Sequence, residues 1–292
     1  MKRFLVTLFL FASSPICLAQ SPPSTINAPF IETYRQNGKE LIYAAVVHHS
    51  SLKYPSAMTD PTFETIAQIF AQTPPDAVIV EGVDPLDMSS FLQFAKSCAA
   101  AKYSLPGRLC NEPEFAADLA AGTGAVVVAG EPSGPSVLAY FEKQGYVAHD
   151  ILAFYIMRMI PVQNSHVPLT PATFPAFEEK VTKDAQRKLG ISVPFSADEF
   201  SAWYAKNMPV PTNYLAITTN DTGPAPHGQK PTLLNTLARV DLVMRDGNIV
   251  TTIQQVLAKH NRVLVVYGAS HLVFEWDQLQ QIMGTPVWSK PF

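Results

Sequence analysis

Four short runs of almost unbroken apolar residues punctuate the chain: Leu41 to Val47, Ala77 to Val80, Ala125 to Ala129 and Val263 to Tyr267. Short and rich in Val and Ile, they read as strands buried on both faces, the pattern of a parallel sheet. Between the first two, Phe63, Ile66, Ile69 and Phe70 recur at helical spacing, and Pro74-Pro75 closes that helix. From about 133 to 260 the pattern turns helical, broken by the Pro-rich stretches Pro161 to Pro175 and Pro209 to Pro231. Within it, Leu233, Leu237, Val240 and Met244 share one helical face. Ile249, Ile253 and Val256 share another, after a break expected at Asp246-Gly247-Asn248. This alternation predicts an α/β fold, a mostly parallel central sheet with flanking helices and an inserted helical cap at about 133–260. There is no internal repeat and no low-complexity tract.

The N-terminus changes the picture of where such a domain works. Lys2 and Arg3 precede an apolar run from Phe4 to Ala12, and Cys17 and Ala19 supply small residues before Gln20. That is the layout of a cleavable signal peptide over 1–19, which leaves 20–292 as one α/β domain in the periplasm or outside the cell. Nothing later in the sequence is apolar for long enough to span a membrane. The chain has 21 Lys and Arg against 24 Asp and Glu; without Lys2 and Arg3 the balance is 19 against 24. A mildly acidic surface without a basic cluster argues against nucleic acid or anionic lipid as partner and leaves a small-molecule or peptide substrate. Cys98 and Cys110 remain after cleavage, and two cysteines in an oxidising compartment predict a disulfide.

In open α/β sheets ligands bind beyond the carboxyl ends of the strands. The four apolar runs lead, in order, into His48-His49, Glu81-Gly82, Gly130-Glu131-Pro132 and Gly268-Ala269-Ser270-His271. Two imidazole positions and two carboxylates are thereby delivered to one edge. His49 would point away from His48 if the strand continues, and is the spectator of the pair. His149-Asp150 opens an apolar helix as a cap pair, His260 sits at a helix end, and His166 and His227 fall in Pro-rich loops. The stretch Phe154 to Ile160 reads as core or cap lining. A phosphate-binding glycine loop, a Gly-x-Ser-x-Gly elbow and a Cys-x-x-Cys pair are all absent from the sequence.

These residues, in this order over about 40 to 275, resemble the TraB/GumN/Tiki superfamily, which is related to erythromycin esterase-like and haem-binding ChaN-like proteins. The family's second GxxH-type motif is matched by Gly268-Ala269-Ser270-His271. Its first is matched by Ala45-Val46-Val47-His48, with Ala45 in the glycine position. Val78-Ile79-Val80-Glu81 resembles its strand-Glu motif, Gly130-Glu131-Pro132 its acidic turn, and Arg245-Asp246 its step before the last helix. The resemblance implies a hydrolase of a peptide or ester bond, metal-assisted or acting by acid/base chemistry. In that role His48, Glu81, Glu131 and His271 are candidate ligands for Zn, Mn or Co with a water as nucleophile. Without a metal, His48 or Glu81 would take a proton from water. Arg245 would hold a substrate carboxylate or an oxyanion, and His48, Glu81, Arg245 and His271 form the candidate catalytic set.

Blander readings stand beside these. Glu81 and Glu131 could serve only as helix caps, His271 as a core histidine, and Arg245 as a surface residue. As alternative functions, the resemblance also allows a non-catalytic periplasmic binding protein for a pheromone, haem or protein ligand. A secreted effector with a protein partner is a third reading.

Overall fold

A hairpin opens the described part of the molecule. The computed structural model describes residues 30–46, 60–105, 110–208, 211–225 and 230–288; the expected signal segment lies outside them. Strand β1 (Phe30–Gln36) turns through Asn37-Gly38 into β2 (Lys39–Val46). Both turn residues have positive φ, 52° and 75°, the geometry for which an Asn-Gly pair in a two-residue hairpin is suited. The chain continues through α1 (Pro61–Gln72), β3 (Ala77–Val80), α2 (Met88–Ala100), α3 (Glu112–Thr123) and β4 (Val126–Ala129). Helices α4 (Gly134–Lys143), α5 (Ala148–His166), α6 (Phe174–Leu189) and α7 (Ala197–Asn207) come next. The chain ends with α8 (Leu233–Lys259), β5 (Arg262–Gly268), α9 (Ala269–Met283) and β6 (Val287–Trp288).

The strands form one sheet in the order β4-β3-β5-β2-β1-β6. β4, β3, β5 and β2 run parallel to their neighbours, whereas β1 is antiparallel to β2 and β6 to β1. The fold is therefore α/β with a mostly parallel sheet, and the four apolar runs are its four parallel strands. On one face Ile42, Val78, Val80, Leu264 and Val266 pack against Phe63 and Ile66 of α1 and Phe115 of α3. The other face, with Tyr43, Ile79, Val265 and Tyr267, is covered by Ile249, Ile253 and Val256 of α8 and Leu272 and Leu279 of α9. Asp60 starts α1 by accepting from Thr62 N at 2.9 Å. Cys98 in α2 and Cys110 ahead of α3 form a disulfide, with Cα atoms 5.8 Å apart.

Helices α4 to α7 and the first half of α8 enclose a separate core around Phe141, Phe154, Phe174, Phe200, Leu234 and Leu237. Helix α8, 27 residues long, leaves that core and crosses onto the sheet without interruption. The break expected at Asp246-Gly247-Asn248 is thus corrected: the helix continues because both Asp246 and Asn248 find tertiary partners beyond it. Pro161 likewise lies inside α5, which runs on to His166, so the segment from Pro161 begins as helix and not as loop. Among the described residues, no helix is long and apolar enough to cross a membrane.

Candidate functional site

Val80, Ala129 and Gly268 end three strands on the same edge of the sheet, so the residues just beyond them meet there. Glu81 follows β3; its amide donates to Val266 O at 3.1 Å, and its Oε2 accepts from Gly268 N. Glu131 follows β4 by way of Gly130. A Cβ on Gly130 would lie 2.5 Å from the Tyr267 ring and 2.8 Å from Val80 O, so only glycine lets the loop come this close. Above both carboxylates passes the middle of α8, where the helix crosses from the cap core to the sheet.

Arg245 projects from that crossing point. It donates to Glu131 through Nε at 2.8 Å and Nη2 at 2.5 Å, and its Nη2 also reaches Glu81 Oε1 at 3.2 Å. Glu131 further accepts from Tyr267 Oη at 2.9 Å and Gly82 N at 3.2 Å. Burial alone would raise the Glu131 carboxyl, but the Arg245 fork outweighs it and holds the group below the usual carboxylate range. Burial and the facing Glu131 push the Tyr267 hydroxyl well up, so it remains a donor.

One residue along α8, Asp246 Oδ1 lies 2.6 Å from His271 Nδ1, and the other ring nitrogen lies 3.5 Å from Glu81 Oε1. Burial alone would lower the imidazole, yet Asp246 and Glu81 together raise it to about 9, so it holds a proton at neutral pH. One turn further along α9, Glu275 is fully buried, and burial next to Asp246 raises its carboxyl to about 8. The Tyr43 hydroxyl is near enough to favour the ionised form, but neither group has a hydrogen bond of proper geometry.

The structure thus brings Glu81, Glu131, Arg245 and His271 together; His48 and His49 lie outside the described residues. The cap readings of the two glutamates fail. Ser133 is the N-cap residue of α4 and Asp84 accepts from Gly134 N at 2.8 Å, while Asp84 also receives Leu86 N in the turn after β3. Nor is Arg245 a surface residue, with its side chain 15% exposed. As metal ligands, however, Glu81 and Glu131 are already engaged by Arg245 and backbone amides. The group among the described residues that could hold a metal ion is Asp246, His271 and Glu275. Asp246, Tyr267 and Glu275 were not candidates from the sequence. The pairing of His271 with Glu275 at i, i+4 was the available signal for the last. Of the other histidines, His149 stacks on Phe195 at 5.2 Å, His166 ends α5 and His260 caps α8; His227 lies outside the described residues. Asp150 does serve the start of α5, accepting from Val147 N at 3.2 Å.

Compared with family models, with curated proteins and with solved structures, the chain gives no match.

Proposed function

We propose that the chain is an exported hydrolase that cleaves a peptide or ester bond with metal assistance, as the TraB/GumN/Tiki resemblance implies. The observation that carries this reading is the His271 imidazole, held between Asp246 and Glu81 beside Arg245 at the strand-end edge. A protonated imidazole fixed from both sides suits a general acid that protonates a leaving group. Arg245 commits Nε and Nη2 to the two glutamates, which fixes its plane; Nη1, without a hydrogen bond among the described residues, is left for a substrate carboxylate or oxyanion. Glu131 is a positioning residue that acts through Arg245. His48, the second candidate imidazole, follows β2 in sequence. A bound Zn, Mn or Co ion would supply a more acidic water as nucleophile. The disulfide between Cys98 and Cys110 favours an oxidising compartment, periplasmic or secreted.

The test is turnover of a panel of peptide and ester substrates by wild type, His48→Ala and His271→Ala. Each variant should lose about 10²- to 10⁴-fold in rate while keeping the wild-type circular dichroism spectrum. Full turnover by folded His271→Ala would remove the reading, and a wild type that binds panel members without cleaving them would favour a binding protein.

A further inference from the structure

Resting on the same junction as the hydrolase reading, we infer that Asp246, His271 and Glu275 form a divalent-cation site that ties α8 to α9. Their donor atoms all lie within 4.8 Å of one another, and all three residues are buried. Bonds of about 2.0–2.2 Å to one nitrogen and two carboxylate oxygens need only small side-chain rotations from there. His271 and Glu275 stand one turn apart on α9 and so present their side chains to the same side, where Asp246 approaches from α8.

Two independent features point to a ligand. The first is Glu275 itself, with no exposed surface and no hydrogen bond of proper geometry to either oxygen. A buried carboxyl group in that condition is costly unless something fills the gap. The second is charge. Glu81, Glu131, Asp246 and Glu275 are four buried carboxyl groups facing two cationic groups, Arg245 and His271, so the fourth can ionise only if a further positive charge joins them. A divalent ion bound between Asp246 and Glu275 would supply that charge.

The imidazole is also oriented for the task. An incoming ion would take the place of the proton that Nδ1 shares with Asp246 and leave Nε2–H turned to Glu81, the carboxylate–histidine–metal arrangement that fixes a ligand's tautomer. Glu81 is then a positioning residue, and the ion joins the helix that carries the cap to the helix that follows β5. Nitrogen and carboxylate donors in this ratio suit Zn or Mn.

The experiment uses the full mature chain, stripped with chelator and titrated with Zn²⁺ or Mn²⁺ by calorimetry, with thermal unfolding read in parallel. Wild type should bind one equivalent and unfold at higher temperature when loaded. Glu275→Gln, which keeps the volume but weakens the ligand, should bind at least about tenfold more weakly and lose the thermal gain. Asp277→Asn, on the exposed side of the same helix, should match wild type. If Glu275→Gln does not fold, Asp246→Asn takes its place with the same expectation. No binding by wild type, or equal binding by wild type and the site variants, overturns the site. Hydrolysis without ion binding would sink this site and leave the hydrolase reading standing; ion binding without hydrolysis would do the reverse.

Discussion

Arg245 shows how much of the site rests on single side chains. Its guanidinium answers Glu131 with two hydrogen bonds and Glu81 with one, all in a largely buried setting. Removing one partner of a buried ion pair leaves an uncompensated charge, so Arg245→Ala should destabilise the fold by about 3–5 kcal/mol. Pairing Arg245→Met with Glu131→Gln should cost less than Arg245→Met alone; urea unfolding of the set checks this, and a double variant worse than the single would contradict it. A second residue, Glu32, is buried within strand β1 with Tyr34 Oη donating to it at 2.7 Å, and burial raises its carboxyl to about 7. Because the folded value exceeds the unfolded one, Glu32 favours folding fully below about pH 4.5, and this contribution is lost as pH rises through 7. Its size is about 3 kcal/mol at most. Glu32→Gln should therefore flatten the fall in melting temperature across that window; an unchanged pH profile would count against it. Glu81, Glu131 and His271 were legible because each follows a Val-rich strand. Asp246 and Glu275 were not, since a carboxylate on an amphipathic helix reads as a solvent face until the opposing helix is known.

At the level of elements, α8 carries the main correction. Its apolar stripe faces the cap core up to Met244 and the sheet from Ile249, and this change of face looked in sequence like an interruption marked by Asp246-Gly247-Asn248. Asp246 and Asn248 instead turn their side chains to His271 and to Gly130 O, at 2.6 and 2.8 Å. Gly247 is exposed, and a Cβ added there would meet nothing within 4 Å. Gly247→Ala should thus stabilise the protein by about 0.5–1 kcal/mol, as at any open helical site. Destabilisation on thermal unfolding would show that the helix is broken there after all. Strand β1 escaped the search for apolar runs because it carries Glu32 and Thr33 among its buried residues, although Asn37-Gly38 was a readable hairpin signal. The disulfide was readable, since an expected signal segment removes Cys17 and leaves Cys98 and Cys110 with one partner each. Reducing it should lower stability by about 2–3 kcal/mol, given a separation of 12 residues; an unchanged melting point after reduction would contradict this.

Across the whole molecule, the parallel strands set where the chemistry gathers and the cap sets what passes over it. Four strands could be read from their apolar runs, and their shared edge followed from the way parallel strands are connected. The order of strands, the path of α8 and the buried partners of His271 depend on long-range packing that short sequence windows do not contain. Residues 81 and 131 follow two different strands, 245 and 246 lie on α8 and 271 on α9, and their contacts link them into one network. Groups that act as a unit lose function together, not independently. The most direct measurement is therefore a double-mutant cycle on hydrolysis with Glu81→Gln and His271→Ala, run on variants shown to be folded. Each single change should cost about 10²-fold or more, and the double variant should be little slower than the worse single one. Losses that multiply, or full activity in either single variant, would contradict a shared hydrolytic site at this junction.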